Sequence, residues 1–269
     1  MKIEEIKGIL TGKPQEADLA KIAADERKGV KKLFSAYLRK LKREEEEIAR
    51  FAKLLSYERQ YWSSGLLHIA GVDEAGRGPL AGPLVVAAVI LSQDTFLSGL
   101  DDSKKVAEAT RKRLYDEILQ AAVAVTVKVV SVSEIDRYNI YQATKSAMKD
   151  VLKNLKVAPE MALIDAMPLE LPALPTISII HGDALSASIA AASIIAKVMR
   201  DGIMEQLSDA YPAYDFAANK GYGSPKHLEA IRKHGATIWH RHTYEPVKSL
   251  LKGGQTAYSE ETGSLIVLK

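Results

Sequence analysis

The sequence predicts an α/β domain with a mixed central β-sheet flanked by helices, preceded by a helical N-terminal extension. Two observations predict this arrangement. Apolar residues recur at helical spacing up to about residue 62, whereas short runs rich in branched side chains begin at residue 66. Those runs first follow one another and then alternate with helical segments, which is typical of a sheet with both parallel and antiparallel neighbours.

Residues 1–65 are predicted to form helices followed by a linker. One apolar stripe repeats every seven residues: Phe34, Leu41, Ile48 and Leu55. Gly29 is expected to separate a shorter first helix from this long one, and Ser63-Ser64-Gly65 is expected to form the linker. The stripe suits packing against the first helix or the main body better than a coiled coil, because few heptads are present.

Positive charge is concentrated in this extension. Residues 1–65 contain 15 Lys and Arg against 11 Asp and Glu, a balance of +4, whereas the remaining residues carry a balance of −1. Such a surplus suits a polyanionic partner, and a solvated helical face is the alternative. For residues 1–62, an element that grips duplex nucleic acid and a helix pair that packs or binds a partner protein both remain open.

The composition is that of an ordinary soluble protein and excludes several kinds of chemistry. The chain has 269 residues, of which 47% are hydrophobic and 26% charged, and it contains no cysteine. Disulfides, thiolate metal sites and a cysteine nucleophile are therefore excluded, and a reducing compartment is expected. The first residues lack a long apolar segment and no run of about 18 apolar residues occurs, so neither a signal peptide nor a membrane span is expected, and the interpretation is a cytoplasmic protein. Nothing in the sequence requires more than a monomer.

From residue 66 onward, strands and helices are predicted in a definite order. The predicted strands cover residues 66–72, 84–91, 124–130, 161–165 and 176–180. The predicted helices cover residues 109–119, 131 to about 155, a long segment after Asp183, and 225–234. Ser131 with Glu134 forms a possible capping box for the second of these helices. Residues 252–269 show no clear pattern and are expected to form a flexible tail.

A glycine-rich turn directly follows two adjacent acids, Asp73 and Glu74. The spacing Gly76-x-Gly78-x-x-x-Gly82 differs from the dinucleotide-binding fingerprint, and the turn leads into a strand where that fingerprint opens a helix. Two carboxylates would repel a phosphate unless a cation lay between them, so the pattern favours Mg²⁺ or Mn²⁺ beside a phosphate. A tight hairpin turn with ion-paired surface acids is the alternative.

Two further acids stand where predicted strands end. Asp165 ends the run MALID, and Asp183 follows TISIIHG. The carboxyl ends of strands in an open α/β sheet border the ligand crevice, so these acids could converge with Asp73 and Glu74. Unneutralised, they would repel one another, and convergence requires a metal or raised pKa values. Each acid alone could be a loop residue, and Asp183 could cap the following helix. Neither a nucleophile elbow nor an HExxH zinc motif occurs.

Five segments together resemble the ribonuclease HII family. They are VDEAGRGPLAGP, DDSKK (101–105), SASIAAASIIAKVMRD (186–201), NKGYGSPKH (219–227) and HRHTYEPV (240–247). The resemblance covers residues 66 to about 251 and leaves residues 1–62 outside. It implies a ribonuclease H-like fold and hydrolysis of RNA in RNA/DNA hybrids. It also implies cutting at ribonucleotides embedded in duplex DNA, a part in ribonucleotide excision repair, and Mg²⁺ or Mn²⁺ as cofactor.

The resemblance also assigns roles to individual residues. It makes four acids the active-site carboxylates and metal ligands: Asp73, Glu74, Asp165 and Asp183. Gly76, Arg77 and Gly78 match the family's glycine-arginine-glycine motif, whose backbone contacts the ribose 2′-OH. Tyr222 matches the tyrosine that packs on the sugar beyond the ribonucleotide, and Ser103 and Lys104 match a segment near the substrate backbone. Lys220 and Lys226, like Lys104, are candidates for phosphate contacts or for plain surface roles.

The resemblance leaves one local departure and two rival functions. Many family members have Asp-Gly where this chain has Asp165-Ala166, which retains the acid but leaves the local turn geometry open. The rivals to a ribonuclease are a non-catalytic module that binds hybrids and a different metal-dependent nuclease on the same fold. Tyr222 could also be a core aromatic with a hydrated hydroxyl, and Arg77 could pair with a neighbouring acid while its backbone contacts the sugar.

Overall fold

The structure is a computed structural model that describes residues 1–12, 14–251 and 264–268. It divides into two compact units, Met1–Ala52 and Lys53–Lys269. The helices of the chain are α1 Ile3–Thr11, α2 Glu16–Ala23, α3 Lys28–Leu54, α4 Ser56–Ser63, α5 Glu108–Ala121, α6 Val132–Tyr138, α7 Ile140–Lys153, α8 Ala187–Ala210, α9 Phe216–Asn219, α10 Pro225–His234 and α11 Val247–Leu250. No described helix is long and apolar enough to cross a membrane.

The first unit has its own small apolar core. Its buried members come from three helices: Ile6, Leu10, Ile22 and Val30. The expectation of a single short helix before Gly29 is wrong, because two helices precede α3 and Gly29 lies in its first turn. The chain bends at residues 24–27 instead, where the backbone N–H of Arg27 donates to the Asp25 carboxylate at 3.0 Å.

The long helix α3 exposes part of its predicted apolar stripe. Phe34 of the stripe packs against the apolar core of the first unit, in line with one of the two expected arrangements, whereas Ile48 is 58% exposed and Leu38, beside the stripe, is 48% exposed. On the charged face, the Lys40–Glu44 and Lys42–Glu46 pairs place opposite charges 3.7 and 3.8 Å apart, one helical turn from each other. Exposed pairs of this kind stabilise a helix only slightly. A nucleic-acid role for this unit stays a prediction.

The second unit is built on a mixed sheet, as predicted. Its strands are β1 Ile69–Ala75, β2 Leu84–Ile90, β3 Ala124–Val130, β4 Met161–Asp165, β5 Thr176–Ile179 and β6 Ser264–Val267. They lie in the order β5-β4-β1-β2-β3-β6. β1 pairs antiparallel with β2 and parallel with β4, and β4 pairs parallel with β5. The parallel half therefore brings the carboxyl ends of β1, β4 and β5 to one edge.

Helices cover both faces of this sheet. Alternate residues of β1, such as Ala70 and Val72, pack with Met148 and Val151 of α7 in the main core. On the other face, Ile69 packs with Ile189 of α8. β2 in particular is buried along its whole length, on both faces, and this explains why it reads as an unbroken apolar run in the sequence.

The helix predicted from residue 131 to about 155 is in fact two helices. The capping box is confirmed, since the Glu134 amide donates to Ser131 Oγ at 3.2 Å and the Ser131 amide donates to Glu134 Oε2 at 2.9 Å. Asn139 then adopts a left-handed φ of 62° and ends α6. Its side chain accepts a hydrogen bond from the Gln142 amide at 3.1 Å and so caps α7.

The end of the chain contributes a strand that the sequence pattern did not predict. β6 pairs antiparallel with β3, with Thr126 opposite Val267. The flexible tail expected at residues 252–269 therefore does not extend to residues 264–268. Its remaining part lies outside the described residues.

Candidate active site

The four predicted acids, here called the carboxylate cluster, lie together at the carboxyl edge of the parallel strands. Val72 of β1 is level with Ile164 of β4, so Asp73 and Asp165, one residue further along, are neighbours across the two strands. The Gly182 amide donates to Asp165 Oδ1 at 2.7 Å, which brings the adjacent Asp183 to the same edge. Asp73 and Glu74 belong to β1 itself and not to the loop that follows.

Close packing of α8 on β1 fixes the position of this edge. A Cβ on Gly71 would lie 2.0 Å from the carbonyl carbon of Ser188, so only glycine permits this approach. Ser186, and not Asp183, is the N-cap of α8. The buried Glu58 of α4 accepts hydrogen bonds from Ser186 Oγ at 2.5 Å and from the Ser188 amide at 2.8 Å, which ties α4 to the start of α8.

Burial and mutual repulsion disfavour the charged forms of these acids. Burial, followed by the negative charges of Glu74, Asp165 and Asp183, raises the pKa of Asp73 well above its ordinary value. Burial likewise raises the pKa of Glu74, although the nearby Arg77 opposes the shift. Glu74 Oε1 accepts from Arg77 Nη1 at 3.3 Å, but Glu74 Oε2 is buried without a hydrogen-bond partner. One buried carboxylate oxygen of the cluster is therefore left without a partner.

Asp183 has both acidic and basic neighbours. Burial raises its pKa, and so do the charges of Asp102 and Asp165, while Lys104 opposes the shift. Lys104 Nζ lies 3.8 Å from Asp183 Oδ2 on a side chain that is 78% exposed. Within the described part of the chain, no three His, Asp or Glu side chains are arranged so that they could hold a metal ion by themselves. The four carboxylates thus lie close together and repel one another, and by themselves they do not form a complete metal-coordination site.

The glycine loop, residues 76–83, borders a cavity of about 340 Å³ beside the cluster. Glu74 lines this cavity together with Gly76, Arg77, Gly78 and Tyr222. Gly76 has a φ of 100°, and a Cβ there would lie 2.1 Å from Arg200 Nε, so the loop requires glycine at this position. One carboxylate of the cluster, the backbone of the loop and an aromatic side chain therefore share one opening.

The predicted substrate-binding residues have clear placements in this opening. Tyr222 is 52% exposed, so it is not a core aromatic. Its ring lies across from the loop, since a Cβ on Gly78 would be 3.6 Å from Tyr222 Cε1. Ser103 is buried and its hydroxyl is bonded to Ser193 Oγ at 2.7 Å, while Lys104 faces the cavity beside it.

Two lysines considered for phosphate contacts are engaged elsewhere. Lys220 Nζ lies 2.8 Å from Glu205, and Lys226 Nζ lies 2.9 Å from Asp215. Lys197 and Arg200 line the cavity although they were not singled out from the sequence. Both lie in the segment SASIAAASIIAKVMRD that carried the resemblance, and their spacing of three residues on one helix could have identified them.

The turn after Asp165 keeps an unusual backbone geometry. Ala166 has a φ of 44°, a left-handed conformation that favours glycine, and its amide donates to the Ile179 carbonyl at 2.9 Å. Alanine therefore occupies a left-handed position in this turn, and the neighbouring Asp165 accepts a hydrogen bond from the Gly182 amide.

Comparisons with known proteins agree with this architecture. The sequence profile of the family described as Ribonuclease HII matches residues 70–247, and that of the Ribonuclease HII N-terminal domain matches residues 2–62. The resemblance therefore extends to the N-terminal residues, which the motifs alone had left outside. Proteins named ribonuclease HII from Bacillus cereus and Bacillus thuringiensis are 52% and 51% identical over 228 residues, covering 85% of this chain and 88% of each relative.

Solved structures show the same fold. The ribonuclease H2 of Pyrococcus horikoshii superposes with a TM-score of 0.61 at 26% identity, covering 68% of this chain and 97% of that one. The ribonuclease HII of Archaeoglobus fulgidus, solved in complex with PCNA, gives 0.58 at 29% identity, covering 66% and 96%. With a family profile that spans most of its length and relatives above half identity, the chain belongs to the ribonuclease HII family of hydrolytic endonucleases.

Proposed function

We propose that this protein hydrolyses the RNA strand of RNA/DNA hybrids and cuts 5′ to ribonucleotides embedded in duplex DNA, with Mg²⁺ or Mn²⁺ as cofactor. One observation carries the proposal. Glu74 of the carboxylate cluster lines the same cavity as the Gly76–Gly78 backbone and Tyr222. Groups suited to hold a cation and groups suited to bind a sugar therefore meet at one opening.

The chemistry of the cluster fits a hard divalent cation. Carboxylate oxygens are the ligands such ions prefer, and Glu74 Oε2 is buried without a partner. A cation would also offset the burial and the mutual repulsion that together raise the pKa of Asp73 and of Asp183. The residues that would hold it are Asp73, Glu74, Asp165 and Asp183. Because no three of them form a metal site by themselves, substrate phosphate oxygens and water would supply the remaining ligands.

A bound cation would supply charge stabilisation and an activated water for attack on a phosphodiester, giving 3′-OH and 5′-phosphate ends. The protein positions the substrate. Lys104 brings a positive charge to the cavity edge next to Asp183, where it can contact the phosphate backbone independently of base sequence. Tyr222 offers an exposed ring on which a sugar can pack. In this proposal the 2′-OH is recognised but is not the nucleophile.

Recognition of that hydroxyl follows from the backbone of the glycine loop. A site built to hydrogen-bond a hydroxyl rejects the analogue that lacks it, because the site's polar groups then stay unpaired. Backbone groups of residues 76–78 can do this without contacting a base, and the 2′-OH distinguishes RNA from DNA. Arg77 can meanwhile keep its ion pair with Glu74.

The decisive experiment compares duplex DNA containing one ribonucleotide with the same duplex lacking it, in Mg²⁺, in Mn²⁺ and in EDTA. We expect cleavage only 5′ to the ribonucleotide and only with a divalent ion. Equal cutting of the all-DNA duplex would indicate a different nuclease. Binding without cutting in either ion would indicate a hybrid-binding module.

A further inference from the structure

We propose that Arg241 and Tyr244 are positioning residues that orient the backbone of the glycine loop and thereby set the preference for a ribonucleotide. The proposal rests on the proposed function of the loop. Neither residue lines the cavity described above. They act through main-chain carbonyl groups that lie between 159 and 167 positions away in the sequence.

Arg241 is completely buried beneath the loop and donates to three of its carbonyl groups. Its Nη2 lies 2.5 Å from the Gly76 carbonyl oxygen and 2.9 Å from that of Gly82, and its Nη1 lies 2.8 Å from that of Arg77. The planar guanidinium presents five donors in a rigid fork, so a single side chain can hold both ends of the loop.

Tyr244 supports the same arrangement. Its hydroxyl donates to the Arg77 carbonyl at 3.0 Å. Its ring lies under the guanidinium, with Arg241 Cζ 5.0 Å from the ring centroid. The Arg77 carbonyl thus receives two donors from one short segment, residues 241–244.

These contacts determine where the loop's amides point. In a trans peptide the N–H is directed opposite to the carbonyl of the preceding residue. Drawing the Gly76 and Arg77 carbonyls toward Arg241 therefore turns the N–H groups of Arg77 and Gly78 away from it. A ribose hydroxyl can accept hydrogen bonds from such outward donors.

The same segment also reaches Tyr222, through two buried histidines. The Thr237 amide donates to His240 Nδ1 at 2.9 Å, so neutral His240 carries its proton on Nε2. That proton can be donated to His227 Nε2 at 3.0 Å, and His227 Nδ1 in turn donates to the Tyr222 carbonyl at 2.8 Å. Residues 240–244 thus contact the backbone of the glycine loop directly and that of Tyr222 through His227.

The test uses conservative variants of the full-length protein. Tyr244→Phe removes the hydroxyl, which donates to the Arg77 carbonyl and accepts from Arg241 Nη1 at 3.3 Å, and keeps the ring under Arg241. Arg241→Lys keeps the charge but loses the planar fork that spans three carbonyls. Tyr214→Phe is the matched control, because the Tyr214 hydroxyl also donates to a backbone carbonyl, that of Gly235, at 2.8 Å. For each variant, kcat and KM are measured on the single-ribonucleotide duplex, affinity is measured on the all-DNA duplex, and Tm is recorded.

We expect Tyr244→Phe to lower kcat/KM on the ribonucleotide substrate about tenfold, because the Arg77 carbonyl and Arg241 Nη1 each lose a hydrogen-bond partner, with affinity for all-DNA duplex unchanged. Arg241→Lys should lower kcat/KM on the same substrate by more than tenfold. Tyr214→Phe should keep the wild-type preference for the ribonucleotide. If Tyr244→Phe and Arg241→Lys retain the wild-type preference, or if Tyr214→Phe changes it as much as Tyr244→Phe does, the positioning role is overturned while the proposed function stands. A wild-type protein that shows no preference for the ribonucleotide would overturn the proposed function itself.

Discussion

The carboxylate cluster and the glycine loop lie beside one cavity and bury charge of opposite sign. In the cluster, Asp73 is 4% exposed among other acids, and Glu74 Oε2 has no partner. Beneath the loop, Arg241 is fully buried, yet its guanidinium donates to three carbonyl oxygens. The buried acids therefore lack some of the partners that a buried charge needs, whereas the buried guanidinium is hydrogen-bonded to the protein's own backbone.

This difference separates the parts that need a ligand from the parts that do not. A buried charge is costly unless it is hydrogen-bonded or paired, and close like charges add to that cost. Arg241 is hydrogen-bonded to backbone carbonyl groups, so the loop is held in shape before substrate arrives. The carboxylates of the cluster are paired and hydrogen-bonded only in part, so a divalent cation should stabilise the cluster and leave the loop unchanged.

The largest effect is expected from Asp73→Asn. It removes one ligand charge from the most buried carboxylate of the cluster and keeps its shape. Since a catalytic metal supplies several kcal/mol of transition-state stabilisation, kcat should fall about a thousandfold, whereas substrate affinity should change little. Single-turnover cleavage and a separate binding measurement will separate the two quantities.

Asp209→Asn is the control for this substitution, because Asp209 is an exposed residue near the end of α8. It should retain wild-type turnover. An Asp73→Asn protein that cuts at more than a tenth of the wild-type rate would place the reacting phosphate elsewhere.

The second prediction concerns the dependence of stability on pH and cation. Folding raises the pKa of Asp73, Glu74 and Asp183, so the folded state binds more protons than the unfolded one above the ordinary carboxyl pKa of about 4. Without a divalent ion, these groups therefore lower the stability as the pH rises from that value toward neutrality. A cation competes with the protons and should reverse the trend.

The rise in Tm caused by Mg²⁺ or Mn²⁺ should accordingly be several degrees at pH 7.5 and much smaller at pH 5. For a domain of this size, about 1 kcal/mol corresponds to roughly 2–4 °C. Asp73→Asn should show a smaller cation effect and a flatter pH dependence than the wild type. Equal Tm shifts at the two pH values would mean that the ion binds outside the cluster.

The third prediction exchanges a glycine of the loop for alanine. At Gly76, a Cβ would lie 2.1 Å from Arg200 Nε and 2.8 Å from the Pro83 carbonyl oxygen, with φ at 100°. We expect Gly76→Ala to cost about 1–3 kcal/mol in unfolding free energy and to lower cleavage of the single-ribonucleotide duplex. Chemical denaturation and the cleavage assay measure the two effects.

Gly202→Ala is the matched control, because nothing lies within 4 Å of a Cβ at this position in α8. Alanine within a helix should raise stability by about 0.5–1 kcal/mol and leave cleavage unchanged. Were the two variants to lose stability equally, the tight contact at Gly76 would not be what shapes the loop.

The sheet and the candidate acids could be predicted from the sequence, because each corresponds to a pattern of neighbouring residues. Buried strands read as branched apolar runs, and an acid at a strand end stands out from them. Sequence reasoning did not identify Arg241 or the His227–His240 pair, because their partners are carbonyl groups and ring nitrogens of distant segments. It also missed the break at Asn139, where a left-handed residue interrupts an otherwise continuous helical pattern.

The smallest effect is expected beside Asp165. Ala166 adopts a φ of 44°, at a position where the family resemblance implies glycine in many members. Relief of left-handed strain is worth about 1–2 kcal/mol, and the added freedom of the unfolded chain offsets about 0.4–1 of it. Ala166→Gly should therefore gain roughly 0.5–1 kcal/mol in stability, measured by denaturant unfolding.

Cleavage by Ala166→Gly should equal that of the wild type, because the bond from the Gly182 amide to Asp165 Oδ1 does not involve the alanine side chain. Ala158→Gly is the comparison, since Ala158 lies in a loop without a left-handed φ, and it should lose about 0.4–1 kcal/mol. A loss of stability at both positions would show that the turn after Asp165 is not strained. A loss of cleavage at Ala166→Gly alone would show that the rigidity of alanine in this turn helps to hold Asp165 against the cluster.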